Sequence, residues 1–422
     1  MLKYLSVFAL LSVVCINVNA ERFVRKTFLS NALGTEKIYY VSYPDGYDAS
    51  DTTTKYPVII FLHGASVNAE QMVMPLELVL PYSQTLYKNL FKVIFVVPDG
   101  SVEPYLGSFY TNSELYGNFE DYISIDLYNE IKNNYNTWDN RKKWSIMGHS
   151  MGGYGAMKNA LKNPDNYIGV ASLSGPIHTT YYNDILPRLL SENGDSIPYN
   201  FTYSRSLTKL VFSMAGAFSP NLNNDPPVDF PIKSDGTIDQ NVVDRWEINN
   251  PINMIREWNN NPKMAVFLYC GELDGYKLLS QNQLFADTLS KYSIPHTFKI
   301  DPTGDHTQSL AVSLPLAINF LYNVMDTSKI ETDPSANSTF ELDNRFIFPN
   351  PVKDKLYLSD FIPDKIQQVL IYSIDGKVVI RKVKTDNDNE IDVSGLPDGI
   401  YILKAVYLNG KKRLSKFIKS DL

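Results

Sequence analysis

Residues 144–153 read Trp144-Ser145-Ile146-Met147-Gly148-His149-Ser150-Met151-Gly152-Gly153. The first half is a short apolar strand, and the second half is a tight turn that runs straight into a helix. Small residues open that helix: Gly153, Gly155, Ala156 and Ala160. Glycines stand two positions before and two positions after Ser150, and the spacing has a steric reason. A serine at the tip of a sharp strand-to-helix turn holds a strained backbone, and side chains at those two flanking positions would collide. The turn lifts the serine hydroxyl clear of the sheet. It also sets Ser150 at a helix N-terminus, where unpaired N–H groups favour developing negative charge. Three fixed residues in five recur by chance, so the weight of this stretch depends on its surroundings.

Those surroundings alternate. Phe23 to Leu29 and Lys37 to Tyr43 read as an antiparallel pair joined at Asn31-Ala32-Leu33-Gly34. Pro57 to Leu62 is a continuous apolar run, as expected of a strand buried on both faces, and it ends in His63-Gly64-Ala65-Ser66. A helix follows over 68–87, and then a strand over 93–97 that ends in Pro98-Asp99-Gly100. A helical pattern covers Phe119 to Tyr135, with acids near its start that suit the helix dipole. Beyond Ser150 come strands over 169–173, 265–270 and 296–300, with helices over 279–292 and 309–325. Strands alternating with helices predict an α/β fold with a mainly parallel sheet covered on both faces. Sites in such sheets gather beyond the carboxyl ends of the strands. His63-Gly64, Ser150, Asp274 and His306 all fall at those ends.

In this setting G-x-S-x-G resembles the nucleophile elbow of α/β-hydrolases, whose partners follow in the order serine, acid, histidine. Serine is too weakly acidic to attack an ester unaided; it needs a histidine base held by a carboxylate. The chain has only five histidines. His63 belongs to the loop after the apolar strand, His149 adjoins Ser150, His178 comes too early, and His296 opens a strand at the wrong end of the sheet. His306 remains as the base. Asp274 is the first choice of acid, with Glu272 and Asp305 competing. The oxyanion donors expected are the N–H of Met151 and one from the His63 to Ser66 loop, Ala65 before Ser66. Neither metal-ligand spacing nor a phosphate loop is present, so no cofactor or metal is expected.

Longer stretches carry a family resemblance. Val58 to Ser66, Gly107 to Ser113, Phe119 to Ile123 and Gly148 to Gly155 resemble the esterase family of α/β-hydrolases. That family holds S-formylglutathione hydrolase, feruloyl and acetylxylan esterases, enterochelin esterase and the mycolyltransferases. The resemblance covers about residues 23–328 and places its serine, aspartate and histidine on Ser150, Asp274 and His306. It implies a metal-independent serine carboxylic-ester hydrolase working through an acyl-enzyme, on acyl or feruloyl esters of carbohydrates. An acyltransferase of the same fold and a catalytically silent binding module are the alternatives. Residues 179–262 separate two core strands and read as a cap-like insertion over Ser150.

The ends of the chain speak of export. Residues 1–20 read as a signal peptide: Lys3, an apolar core from Leu5 to Ile16 too short to span a bilayer, and a cleavage site after Ala20. Cys15 would leave with it, and of the two cysteines only Cys270 would stay, so no internal disulfide is expected. The hydrolase domain then covers 21–328, and a polar linker covers 329–344. Short alternating strands fill 345–422, with turns at Asp375-Gly376 and Asn409-Gly410. Phe348-Pro349-Asn350-Pro351, Leu396-Pro397-Asp398-Gly399-Ile400-Tyr401 and the basic end closely resemble the C-terminal sorting domain of Bacteroidota type IX secretion. That resemblance implies a small all-β sandwich, the type IX secretion machinery as partner, and a secreted or surface-held enzyme. A net charge of −7 argues against a nucleic-acid surface, and no stable membrane span is expected.

Overall fold

The computed structural model describes residues 23–87, 92–180, 186–192, 206–233, 237–258, 264–307, 309–325, 347–358, 366–373, 378–383, 390–407 and 412–420. The expected signal peptide, the linker and the turns at Asp375-Gly376 and Asn409-Gly410 lie outside those residues.

Eight strands form one sheet: β1 (Phe23–Ser30), β2 (Thr35–Ser42), β3 (Val58–Leu62), β4 (Ile94–Pro98), β5 (Trp144–His149), β6 (Gly169–Leu173), β7 (Ala265–Gly271) and β8 (His296–Asp301). Their order is β1-β2-β4-β3-β5-β6-β7-β8. The β1–β2 and β2–β4 pairs are antiparallel, and every pair from β4 to β8 is parallel. Alternation explains why β3 reads as unbroken apolar sequence. Val58, Ile60 and Leu62 enter one buried cluster, while Ile59 and Phe61 enter the cluster on the opposite face. Helices α1 (Ala69–Tyr87) and α9 (Leu310–Met325) cover the second face, through Leu76, Leu80, Leu314 and Ile318 among others. The first face is covered by a helix over 119–134 (α2), whose middle, Tyr122–Leu127, is π-helical, and by α3 (Met151–Lys162) and α8 (Leu279–Lys291).

The parallel register aligns the carboxyl ends of the strands. Leu62 faces Gly148, His149 faces Leu173, Leu173 faces Tyr269, and Gly271 faces Asp301. Loops leaving the sheet after these residues therefore emerge along one edge, and that edge holds His63, Ser150, Asp274 and His306.

The insertion between β6 and β7 contains α4 (Leu186–Glu192), α5 (Ser206–Phe218), α6 (Gln240–Ile248) and α7 (Pro251–Trp258). These helices are packed into the molecule. Val211, Phe212, Ala215 and Phe218 of α5 join the cluster that β3 and β5 build on the first face. Phe218 meets Phe109 and Tyr154 at edge-to-face and tilted angles. Asn249, between α6 and α7, is held twice by α3. The Tyr154 hydroxyl donates to its carbonyl at 2.7 Å, and the Lys158 ammonium donates to its side chain at 2.9 Å.

Lys158 is fully enclosed, and it survives there because its three donors find three acceptors. Besides Asn249 these are Thr111 Oγ1 at 2.9 Å and Glu120 Oε2 at 2.7 Å. The other Glu120 oxygen pairs with Lys162. Burial pulls the Lys158 ammonium down to about 8, and the Glu120 carboxylate opposes that fall. Removing one partner of a buried pair strands the other charge. We therefore expect Lys158→Met to lower the free energy of unfolding by about 3 kcal/mol in urea titration. Lys158→Met with Glu120→Gln should recover most of that loss, whereas additive losses would show that the two side chains are uncoupled.

The C-terminal region forms two antiparallel sheets. One joins β9 (Ile347–Phe348), β10 (Lys355–Leu358) and β13 (Glu390–Asp392). The other orders β12 (Val378–Val383), β11 (Ile366–Ser373), β14 (Gly399–Tyr407) and β15 (Lys412–Lys419) as β12-β11-β14-β15. Leu356 and Ile391 from the first share one buried cluster with Val369, Leu403 and Phe417 from the second. Residues 347–358 hold two strands, β9 and β10. The chain turns between them, where Asn350 Oδ1 accepts the Ile418 N–H at 2.9 Å. Among the described residues, no helix is long and apolar enough to cross a membrane.

Candidate active site

Ser150 sits between β5 and α3 with φ 55° and ψ −121°, outside the regions open to ordinary side-chain-bearing residues. Its N–H donates to the Leu173 carbonyl at 2.8 Å, so the neighbouring strand end fixes the turn. A Cβ on Gly148 would lie 2.3 Å from the Gly152 carbonyl oxygen, and one on Gly152 would lie 1.9 Å from the Leu62 carbonyl oxygen. The elbow therefore closes only by direct backbone contact with the end of β3.

His306 and Asp274 come from the loops after β8 and β7. His306 Nε2 is 2.9 Å from Ser150 Oγ, and His306 Nδ1 is 2.8 Å from Asp274 Oδ2. The second Asp274 oxygen accepts the Tyr276 N–H at 2.8 Å, so both oxygens of this buried carboxylate are engaged. The Tyr276 ring stands edge-on to the His306 ring with centroids 4.6 Å apart. Glu272 is exposed, and Asp305 accepts the Thr307 N–H at 2.9 Å. Neither makes the contact to His306 that Asp274 makes.

The loop after β3 lies against the elbow, with Gly64 beside the Ser150 Cβ. His63 is buried and locks this loop. Its Nδ1–H donates to the Gly64 carbonyl, and its Nε2 accepts the Gly100 N–H, both at 2.9 Å. The Tyr110 hydroxyl donates to the His63 carbonyl at 3.0 Å. The Ser66 N–H is already committed to the Leu106 carbonyl at 2.7 Å. Among the described residues, the Ala65 N–H has no acceptor. The N–H of Met151 opens α3, where a first-turn amide has no partner within its own helix. Cys270, in β7, is buried, and burial pushes its thiol up, which leaves it a packing residue.

The family model described as "Putative esterase" matches residues 30–309, more than half of the chain. The chain belongs to this esterase family. The model of the secretion system C-terminal sorting domain matches residues 346–420, so the esterase carries a type IX sorting module at that end. An esterase of Mycobacterium tuberculosis is 30% identical over 170 residues, 39% of this chain and 35% of that protein. The chain thus spans about a third of the length of the curated relatives it matches. A fluorophosphonate-binding serine hydrolase of Staphylococcus aureus shares the fold, with TM-score 0.50 and 20% identity over 71% of this chain and 98% of that one. A ferulic acid esterase superposes with TM-score 0.48 and 17% identity, over 72% of this chain and 97% of that one.

One residue of the esterase does more than its sequence position suggests. His149, set aside above as the neighbour of Ser150, turns its ring toward the His306 loop. Its Nε2–H donates to the His306 carbonyl at 2.7 Å, and the two rings lie 5.0 Å apart. Burial, with His306 beside it, pushes the His149 imidazole down from 6.5 to about 3. The folded esterase therefore holds His149 neutral, whereas the unfolded chain takes up a proton there below pH 6.5. A depressed histidine favours the folded state fully above the unfolded value, and that advantage drains as pH falls toward the folded value. Between pH 7 and pH 4 the melting temperature of the native esterase should fall more steeply than that of His149→Gln. Parallel curves in calorimetry would show that His149 titrates normally in the fold.

Proposed function

We propose that this esterase is a secreted serine carboxylic-ester hydrolase in which Ser150 is the nucleophile, His306 the general base and Asp274 the orienting acid. The observation that carries this reading is the unbroken hydrogen-bonded line from Ser150 Oγ through His306 to the buried Asp274. Asp274 holds the proton on Nδ1, which leaves the Nε2 lone pair facing the serine. Nε2 takes the hydroxyl proton as Oγ attacks the ester carbonyl. The resulting oxyanion is met by the N–H groups of Met151 and Ala65, and the engagement of Ser66 with Leu106 supports Ala65 as the second donor. Nε2 then gives its proton to the departing alcohol. Water, deprotonated by the same nitrogen, releases the acid from the acyl-enzyme. The side chain of His306 is 14% exposed, so an incoming water can reach the base.

The sorting module supports export to the outside of the cell through the type IX machinery. An exported esterase meets esters on external polymers, and we propose acyl or feruloyl esters of carbohydrates as its substrate class. The insertion over 179–262 supports a cap-like role. Arg188 donates to the Gly275 carbonyl at 2.9 Å and stacks over Tyr276, the ring that abuts His306.

The test is hydrolysis of 4-nitrophenyl esters from acetyl to octanoyl, and of methyl ferulate, by the full chain. Ser150→Ala should remove turnover while circular dichroism stays native. Asp274→Asn should lower kcat by about 10⁴, as expected when the histidine tautomer is lost, and Glu272→Gln should leave it within about twofold. A larger loss from Glu272→Gln than from Asp274→Asn would move the acid to Glu272.

A further inference from the structure

The Ala65 N–H belongs to the peptide unit whose carbonyl is that of Gly64. In a trans peptide the two point in opposite directions, so whatever holds the carbonyl aims the N–H. His63 Nδ1–H holds that carbonyl from within the loop. The next peptide unit, between Ala65 and Ser66, is held from outside it. Ser66 has a left-handed backbone, φ 67°, and its N–H donates to the Leu106 carbonyl at 2.7 Å. The Leu106 N–H in turn donates to Ser213 Oγ at 2.9 Å, and Ser213 Oγ–H donates to the Lys209 carbonyl one turn back along α5. A continuous run of hydrogen bonds thus links the insertion helix to the peptide beside Ala65. The helix end of this run is anchored. Tyr116 donates to the Ser213 carbonyl at 3.1 Å, Ser113 donates to the Gly216 carbonyl, and Ser213 is fully buried.

We infer that Ser213 is a positioning residue for the oxyanion site: through the two peptide groups of Leu106, α5 holds the loop so that the Ala65 N–H faces the nucleophile. Without the Ser213 hydroxyl, the N–H of the half-buried Leu106 loses its acceptor. The 105–107 segment must then move to find another, and Ser66 moves with it. The left-handed conformation of Ser66 is not one that serine keeps unaided, so the loop relaxes away from its donating geometry. Ser213 touches no reacting atom. This inference rests on the proposed roles of Ser150 and Ala65.

The test is a comparison of Ser213→Ala and Ser213→Thr with the native full chain, with Ser150→Ala alongside. Substrates are the 4-nitrophenyl esters, and the probe of the oxyanion site is an alkyl trifluoromethyl ketone, which adds to the serine as a tetrahedral hemiketal. Loss of one oxyanion donor costs about 10²- to 10³-fold in kcat, so its misalignment should cost about tenfold. Ser213→Ala should show that loss in kcat with KM within about twofold. The inhibition constant of the ketone should rise by the factor by which kcat/KM falls. Ser213→Thr, which keeps the hydroxyl, should recover most of both. If the extra methyl of Ser213→Thr is not tolerated in the core, the match between ketone affinity and kcat/KM in Ser213→Ala decides alone, because a smaller folded fraction lowers kcat without weakening the ketone. Unchanged kcat, or a fall in kcat with unchanged ketone affinity, would overturn the inference while the reading of Ser150 stands. Turnover that survives in Ser150→Ala would overturn both.

Discussion

Everything at the sheet edge depends on one backbone contact, the seating of Gly152 against the Leu62 carbonyl. No side chain fits between α3 and the end of β3, so the elbow and the loop after β3 are held at van der Waals distance. That closeness sets the loop after β3 beside Ser150. The parallel register supplies the rest. It delivers the loops after β7 and β8 to the same edge, and their side chains then need only the length of an aspartate and a histidine to reach the serine.

Much of this was legible in the chain because its physics is local. The glycine spacing around Ser150 reports a steric condition within five residues. The unbroken apolar run of β3 reports burial on both faces, and each strand end bears a chemically distinctive residue. Elimination among five histidines singles out His306 because the fold class limits which loops can meet, and in the fold its Nε2 lies 2.9 Å from Ser150 Oγ. What was not legible depends on distance in sequence. His149 could be set aside beside Ser150 because nothing in the motif says where its ring points. Its partner is the backbone of His306, 157 residues away, and a backbone atom leaves no mark in sequence. Ser213 lies on a largely apolar helix, and no pattern distinguishes it from any other buried hydroxyl. Nothing in the sequence around Lys158 marks it, although it ties α3 to three other segments of chain.

The insertion could be read as a cap from its length and composition, but those properties do not say what it rests on. In the fold it is joined to the core by polar contacts at defined points, Asn249 with α3 and Ser213 with the 105–107 segment. Apolar packing of α5 surrounds them. The combination matters: apolar burial supplies most of the attraction, and the directional bonds choose one seating among the many that burial alone would allow. The C-terminal region works differently. Its two sheets share a small core, and the turn at Pro349-Asn350-Pro351 is closed by a side chain that caps the last strand.

Leu106 stands at the middle of the link between insertion and elbow, yet its side chain takes no part in it. Both of its bonds are made by main-chain atoms, to Ser66 and to Ser213. Residue 106 can therefore be exchanged for any residue except proline that tolerates its backbone angles without breaking the link. A lineage, or a laboratory library, could vary the bulk and polarity of the side chain at this point while the alignment of the neighbouring amides is inherited unchanged. The molecule separates the part that can drift from the part that cannot, and the boundary runs between the side chain and the backbone of a single residue.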